Sequence, residues 1–322
     1  MKGKYRVVVQ NASVKFDFTI RRNITILKGD SATGKTTLVE MVREHYERGD
    51  DSGVEIVCDK QCVSLSGRDW KILLNAYKDS IVFIDEGNDF VLGDDFARMV
   101  EHSDNYYVIV TREGLPNLPY STEEIYGIRM SGKYGGLKPV YNEFYRIYGS
   151  YELDGLIIPD IVVVEDTNSG YEFYQGISDK SYTQVISAGG KTKIQQIVKS
   201  LPDDNVLIIA DGAAFGAEIG RVMSILKHRK HTWIYLPESF EWIILKSGRI
   251  DGKAVEDILN HPEDYIESSQ YFSWEQFFTH LLIQQTVDTY LHYRKAKLNQ
   301  VYLSESFERD ILAVMEHIHL TK

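Results

Sequence analysis

Cysteine is nearly absent from this chain: Cys58 and Cys62 are the only two among 322 residues. Two such residues supply half a metal knuckle, but no second Cys/His pair at zinc spacing follows, so they read as free thiols. The nine histidines form no ligand-spaced cluster, and His317 with His319 stands close to the last residue. Basic charge is also short, with 36 Lys and Arg against 47 Asp and Glu and a net charge of −11. That balance argues against a broad DNA-coating surface, because such binding neutralises phosphates, although a local basic groove is compatible with it. No apolar run approaches the ~20 residues of a membrane span, and no opening segment has the charged-then-apolar pattern of a signal peptide. Internal repeats, heptad arrays and low-complexity tails are missing too. These absences predict a protein of a reducing cytoplasm. With 43% apolar and 26% charged residues, the chain has ordinary globular composition and length for about two domains.

What is present begins with residues 22–41, RNITILKGDSATGKTTLVEM. Ile24 to Leu27 reads as a buried β-branched strand, and Thr37 to Arg43 takes up helical spacing. Between them Gly29-Asp30-Ser31-Ala32-Thr33-Gly34-Lys35-Thr36 fits the phosphate-loop pattern G-x-x-x-x-G-K-[ST]. The glycines let successive N–H groups turn inward toward phosphates. Lys35 reaches the β- and γ-phosphates, Thr36 offers its hydroxyl to Mg²⁺, and the helix start adds its dipole. The expected nucleotide contacts are Gly29 through Thr37, with ATP and Mg²⁺ as cofactors.

Residues 4–20 alternate apolar and polar and predict two antiparallel strands turning near Asn11-Ala12. Val54 to Cys58 is expected as a second core strand and Trp70 to Tyr77 as a helix. Ser80-Ile-Val-Phe-Ile-Asp85-Glu86 is an apolar strand ending in two acids. Asp85 there suits the Mg²⁺ shell and Glu86 the polarisation of an attacking water. This Walker B-like strand resembles the P-loop proteins that hydrolyse ATP with a dedicated glutamate. In ABC-type and related ATPases of that kind, a hairpin often precedes the phosphate loop. Such ATPases also place a polar γ-phosphate sensor after a further strand; here Tyr106 to Val110 ends in Thr111-Arg112. Thr111 is the sensor candidate, while Arg112 is open to a nucleotide, a neighbouring subunit or plain solvent. Lys35 and Asp85 stand too close in sequence for a transporter ATPase's helical arm, and no LSGGQ-like stretch occurs. Residues 115–149, rich in Gly, Pro and Tyr, are expected to hold one or two closing strands.

A second βα pattern starts at Leu156. Strands end at Glu165-Asp166, at Gly189-Gly190-Lys191 and at Asp211, and Thr232 to Leu236 leads to Pro237-Glu238-Ser239-Phe240-Glu241. Strands alternating with helices at this spacing predict a mostly parallel α/β sheet. The order of these signals, over about residues 158–246, resembles a Toprim domain, the metal-binding module of topoisomerases, primases and OLD-family nucleases. An ATPase followed by Toprim is also the OLD arrangement. The resemblance implies that Glu165 and Asp211 hold a second divalent cation, Mg²⁺ or Mn²⁺. The chain departs from the pattern at Ala213, where the family carries its second aspartate, and at Asp166, where a glycine is usual. Asp166, Glu238 or Glu241 are the alternatives for the lost ligand.

The fold expected is therefore α/β: a P-loop NTPase parallel-sheet domain over 1–155, a Toprim-like domain over 156–250 and a helical segment over 251–322. In the last segment Ser273-Trp-Glu-Gln276 suits a capping box, and a second helix is expected from Ser304 to His317. Two functions compete. One is an OLD-like ATPase gating nucleic-acid cleavage or remodelling, in genome defence or on a mobile element. The other is an ATP-driven switch whose degenerate second domain is a partner-binding platform. Homo-oligomers, a protein partner or nucleic acid are all compatible; a membrane is not expected. A small-molecule kinase fits poorly, since Asp85-Glu86 suits the activation of water.

Overall fold

A computed structural model of the chain describes residues 1–29, 33–131, 140–148, 155–202, 204–250 and 252–320. The chain is mixed α/β and divides into two compact units, Met1–Gly149 with His261–Phe272, and Ser150–Asn260 with Ser273–Lys322. Residues 251–322 thus form no unit of their own. In the first unit, Gly3 donates its N–H to Glu263 O, Ser268 to Met1 O, and the Asn23 amide to Phe272 O, which ties 261–272 to the N-terminal strands.

The first unit runs β1 (Tyr5–Gln10), β2 (Val14–Ile20), β3 (Ile24–Leu27), α1 (Lys35–Arg48), β4 (Glu55–Val57), β5 (Gln61–Ser64), α2 (Trp70–Ala76), β6 (Ser80–Ile84), α3 (Asp94–Glu101), β7 (Tyr106–Val110), β8 (Ile125–Met130) and β9 (Val140–Arg146). Its nine strands form one sheet in the order β4-β1-β2-β9-β8-β3-β7-β6-β5. Strands from β8 to β5 run parallel to their neighbours, while β4-β1-β2 and β8-β9 pair antiparallel. Every residue of β3, β6 and β7 is buried. Strands covered on both faces read as unbroken apolar runs, which is why ITIL, SIVFI and YYVIV show no alternation. Buried Leu38, Val39, Met41 and Val42 give α1 one apolar stripe, which joins Leu27, Phe83 and Val108 in a common core. The β1–β2 turn is closed by the Asn11 side chain, whose Oδ1 accepts from Ser13 N and Val14 N at 2.9 and 2.8 Å.

The expected core strand over Val54 to Cys58 is corrected. Only Glu55–Val57 is extended; it pairs antiparallel with β1 at the sheet edge and alternates exposed and half-buried. The strand beside β6 is β5, which buries Cys62 and Val63. Asp59-Lys60 breaks the run in two, and alternation in V-E-I-V suits an edge rather than a core.

The second unit contains β10 (Ile161–Val164), α4 (Ser169–Ser178), β11 (Gln184–Ser187), α5 (Ile194–Ser200), β12 (Val206–Ile209), α6 (Gly216–Leu226), β13 (Thr232–Tyr235), α7 (Phe240–Lys246), α8 (Lys253–Asn260), α9 (Trp274–Thr286) and α10 (Glu305–Ala313). Its four strands are all parallel in the order β11-β10-β12-β13. IVVV and VLII are buried throughout, as central parallel strands require. The Ser273 hydroxyl accepts from Gln276 N and caps α9, while α10 stops at Ala313, short of the expected His317. Among the described residues, no helix is long and apolar enough to cross a membrane.

Candidate functional site

The strand order brings three sequence-distant segments to one edge. Since β7 lies between β3 and β6, residues after Leu27, Ile84 and Val110 emerge side by side at the carboxyl ends of parallel strands, where such sheets collect ligands. Gly29 and Gly34 take φ of +126° and +90°. At Gly34 a side chain is strained by that backbone, although a Cβ would meet Phe16 and Asn142 only at ordinary contact, 3.4 and 3.5 Å. Asp30, Ser31 and Ala32 lie outside the described residues.

Directly after the loop, α1 begins with Lys35, which is 6% exposed. Its Nζ donates to Gly29 O at 3.0 Å and to Thr33 Oγ1 at 2.7 Å, folding the ammonium back over the loop. Thr36 Oγ1 donates to Asp85 Oδ1 at 3.3 Å, so these two candidate Mg²⁺ ligands face each other. Asn88 Nδ2 donates to Asp85 O at 2.9 Å and holds the turn after β6. Exposed Glu86 accepts from Arg112 Nε at 2.6 Å. Thr111 N bonds Leu27 O, while its hydroxyl exchanges bonds with the Glu113 backbone. Asp85, Glu86, Thr111 and Arg112 line a cleft of about 290 Å³. A second cleft of about 490 Å³ opens on Thr33, Gly34 and Thr37, backed by Phe16 and Asn142. Sequence reasoning missed Asn88 and Asn142, which carry no motif, and left the Arg112–Glu86 pairing open.

A second set of polar groups gathers in the other unit. Glu165 follows β10 and Asp211 lies just beyond β12; the Asp211 backbone N donates to Glu165 Oε2 at 3.1 Å, which brings the two strand ends together. Gly212 is needed at the next position, because a Cβ there would lie 2.7 Å from Leu236 O. Burial pushes the Glu165 carboxyl up to about 7. Burial first, then the charges of Glu275, Glu165 and Glu241, raises Asp211 well above the usual carboxylate range. Among the alternatives for the lost ligand, Asp166 is turned away to α4: its carboxylate accepts from Thr167 N, Asn168 N and Gly170 N at 2.6, 2.9 and 3.1 Å. Glu241 is 2% exposed and accepts from Tyr293 Oη at 2.8 Å. Lys295 Nζ stands 2.6 Å from Glu275 and 3.8 Å from Glu241. Ala213 is buried and brings no oxygen. The space walled by Glu165, Asp211, Tyr174 and Phe240 measures about 10 Å³, room for about one water.

Glu275, Tyr293 and Lys295 were not legible as site residues, since nothing in their spacing links them to Asp211. Among the described residues, no three His, Cys, Asp or Glu side chains are grouped as a metal centre. Compared with models of protein families and with curated proteins, the chain matches none.

Proposed function

We propose that the first unit binds ATP with Mg²⁺ and hydrolyses it. The observation that carries this reading is the facing pair Thr36 and Asp85, 3.3 Å apart, directly beside Lys35 and Glu86. The donor set fits: Mg²⁺ in such sites keeps one or two protein oxygens and takes the rest from phosphates and water, and a hydroxyl with a carboxylate is that set. The N-terminus of α1 supplies backbone donors, and Lys35 supplies a cation held against Gly29 O. Bound between Thr36, Asp85 and the phosphates, Mg²⁺ would neutralise charge that develops there. Glu86 takes the proton of the attacking water, and Arg112 steadies that carboxylate at the rim of the cleft. Thr111, which follows β7 and lines the same cleft, would be the residue that senses the γ-phosphate.

The order of motifs in the second unit supports an OLD-like arrangement, with ATP turnover coupled to nucleic-acid processing in genome defence or on a mobile element. A second reading, in which that unit is a non-catalytic partner platform, is favoured by Ala213 and by the lysine among its acids. Cleavage of plasmid DNA with Mn²⁺ separates the two: metal-dependent nicking supports the first, and inert DNA supports the second.

Lys35→Ala tests the nucleotide site. Charge-assisted bonds from an ammonium to phosphate contribute ~1.5–3 kcal/mol, so ATP affinity by calorimetry is expected to fall roughly 10- to 100-fold. An unchanged affinity would refute the assignment of the loop.

A further inference from the structure

We infer that Lys295 is a built-in cation of the second unit, occupying with its ammonium the place among Asp211, Glu241 and Glu275 that an exchangeable divalent metal would need. The residues do not fit a two-metal centre. Two-metal chemistry requires clustered carboxylate oxygens free to turn toward the ions. Here Asp166 is committed to three backbone N–H groups of the α4 turn. Glu241 is committed to Tyr293, itself hydrogen-bonded to Ser169. Glu275 is committed to Lys295. Ala213 brings no ligand, and the gap beside Glu165 and Asp211 holds about 10 Å³.

Lys295, by contrast, meets what a cation there needs. Its Nζ bonds Glu275 at 2.6 Å and lies 3.8 Å from the nearly fully buried Glu241. Asp211 lies within electrostatic range of the same ammonium. The negative charges of Glu275, Glu165 and Glu241 all bear on the buried Asp211 carboxyl, and the Lys295 ammonium is the positive charge that opposes them. A lysine supplies that charge permanently and keeps the cluster assembled without metal. An ammonium cannot replace two metals as a clamp on attacking and leaving oxygens, so the unit presents a fixed polar surface rather than a hydrolytic centre. This inference does not depend on nucleotide binding by the first unit.

The test is Mn²⁺ binding to the full chain without nucleotide, followed by electron paramagnetic resonance. Wild type is expected to show no Mn²⁺ signal that Asp211→Asn removes. Lys295→Gln, neutral and of similar reach, is expected to gain one site at least about tenfold tighter than any in wild type, lost again on adding Asp211→Asn. Lys295→Arg, which keeps the charge, should gain nothing. Wild-type Mn²⁺ binding that Asp211→Asn abolishes would overturn the inference, as would a folded Lys295→Gln that binds no more Mn²⁺ than wild type. Should Lys295→Gln fail to fold, the wild-type and Asp211→Asn comparison decides alone: a difference between them refutes the built-in cation, and identity supports it.

Discussion

Glu86→Gln separates chemistry from stability, because the proposed role as base and the observed ion pair with Arg112 carry very different weights. Glutamine keeps the shape and the hydrogen-bonding oxygen but cannot take a proton. In stability, the change weakens one ion pair, Glu86 with Arg112 at 2.6 Å, whose side chains are 39% and 62% exposed. Pairs that open to water contribute ~0–1 kcal/mol, so the melting temperature should move by no more than about 4 °C. In turnover, loss of a general base costs ~10²–10⁴-fold, equivalent to ~2.7–5.4 kcal/mol at 1.36 kcal/mol per decade. The variant should therefore fold as wild type, still be stabilised against heat by MgATP, and release phosphate at least about 10²-fold more slowly. Phosphate release under saturating MgATP, run beside a thermal melt, reads both quantities. Turnover within about threefold of wild type would refute Glu86 as the base, since general bases contribute far more. A melting temperature lowered by about 10 °C would make its role structural instead.

Two further outcomes follow from the geometry. Asp166→Ala strips an acceptor from three backbone N–H groups at the entry to α4 and should cost ~1 kcal/mol, as lost helix caps do. It would be read as a lower denaturant midpoint at unchanged slope, and an unaltered midpoint would contradict the capping role. Cys62 Sγ donates to Lys60 O at 3.8 Å; the neighbouring Cys62 thiol lowers Cys58 to about 7, while the same pairing and burial push Cys62 far up. Thiolate is the reactive form, so alkylation by iodoacetamide should label Cys58 alone, its rate rising with pH to half its plateau near pH 7. Equal labelling of both thiols, or a Cys58 profile centred in the ordinary thiol range, would refute the pairing.

The runs of Ile24–Leu27, Ser80–Ile84, Tyr106–Val110, Ile161–Val164 and Val206–Ile209 were readable in the sequence as buried strands. A parallel strand covered on both faces needs apolar residues at every position, and that requirement is local. The residues just past those strands, from Gly29 to Asp211, were readable as a consequence, because a parallel sheet offers its carboxyl ends as the place for polar groups. The turn near Asn11 and the cap at Ser273 were legible for the same reason: their partners lie within three residues.

Other features were settled only by packing. Placing β7 between β3 and β6, which sets Thr111 and Arg112 beside Asp85 and Glu86, depends on long-range strand pairing that no local pattern records. The return of 261–272 to the N-terminal strands rests on long-range bonds such as Gly3 N to Glu263 O and Asn23 Nδ2 to Phe272 O. Lys295 and Glu275 carry no signature in a linear reading, because a charged residue looks the same whether it meets water or a buried acid. Charge is written in the sequence; the neighbour that gives it meaning is decided by the fold.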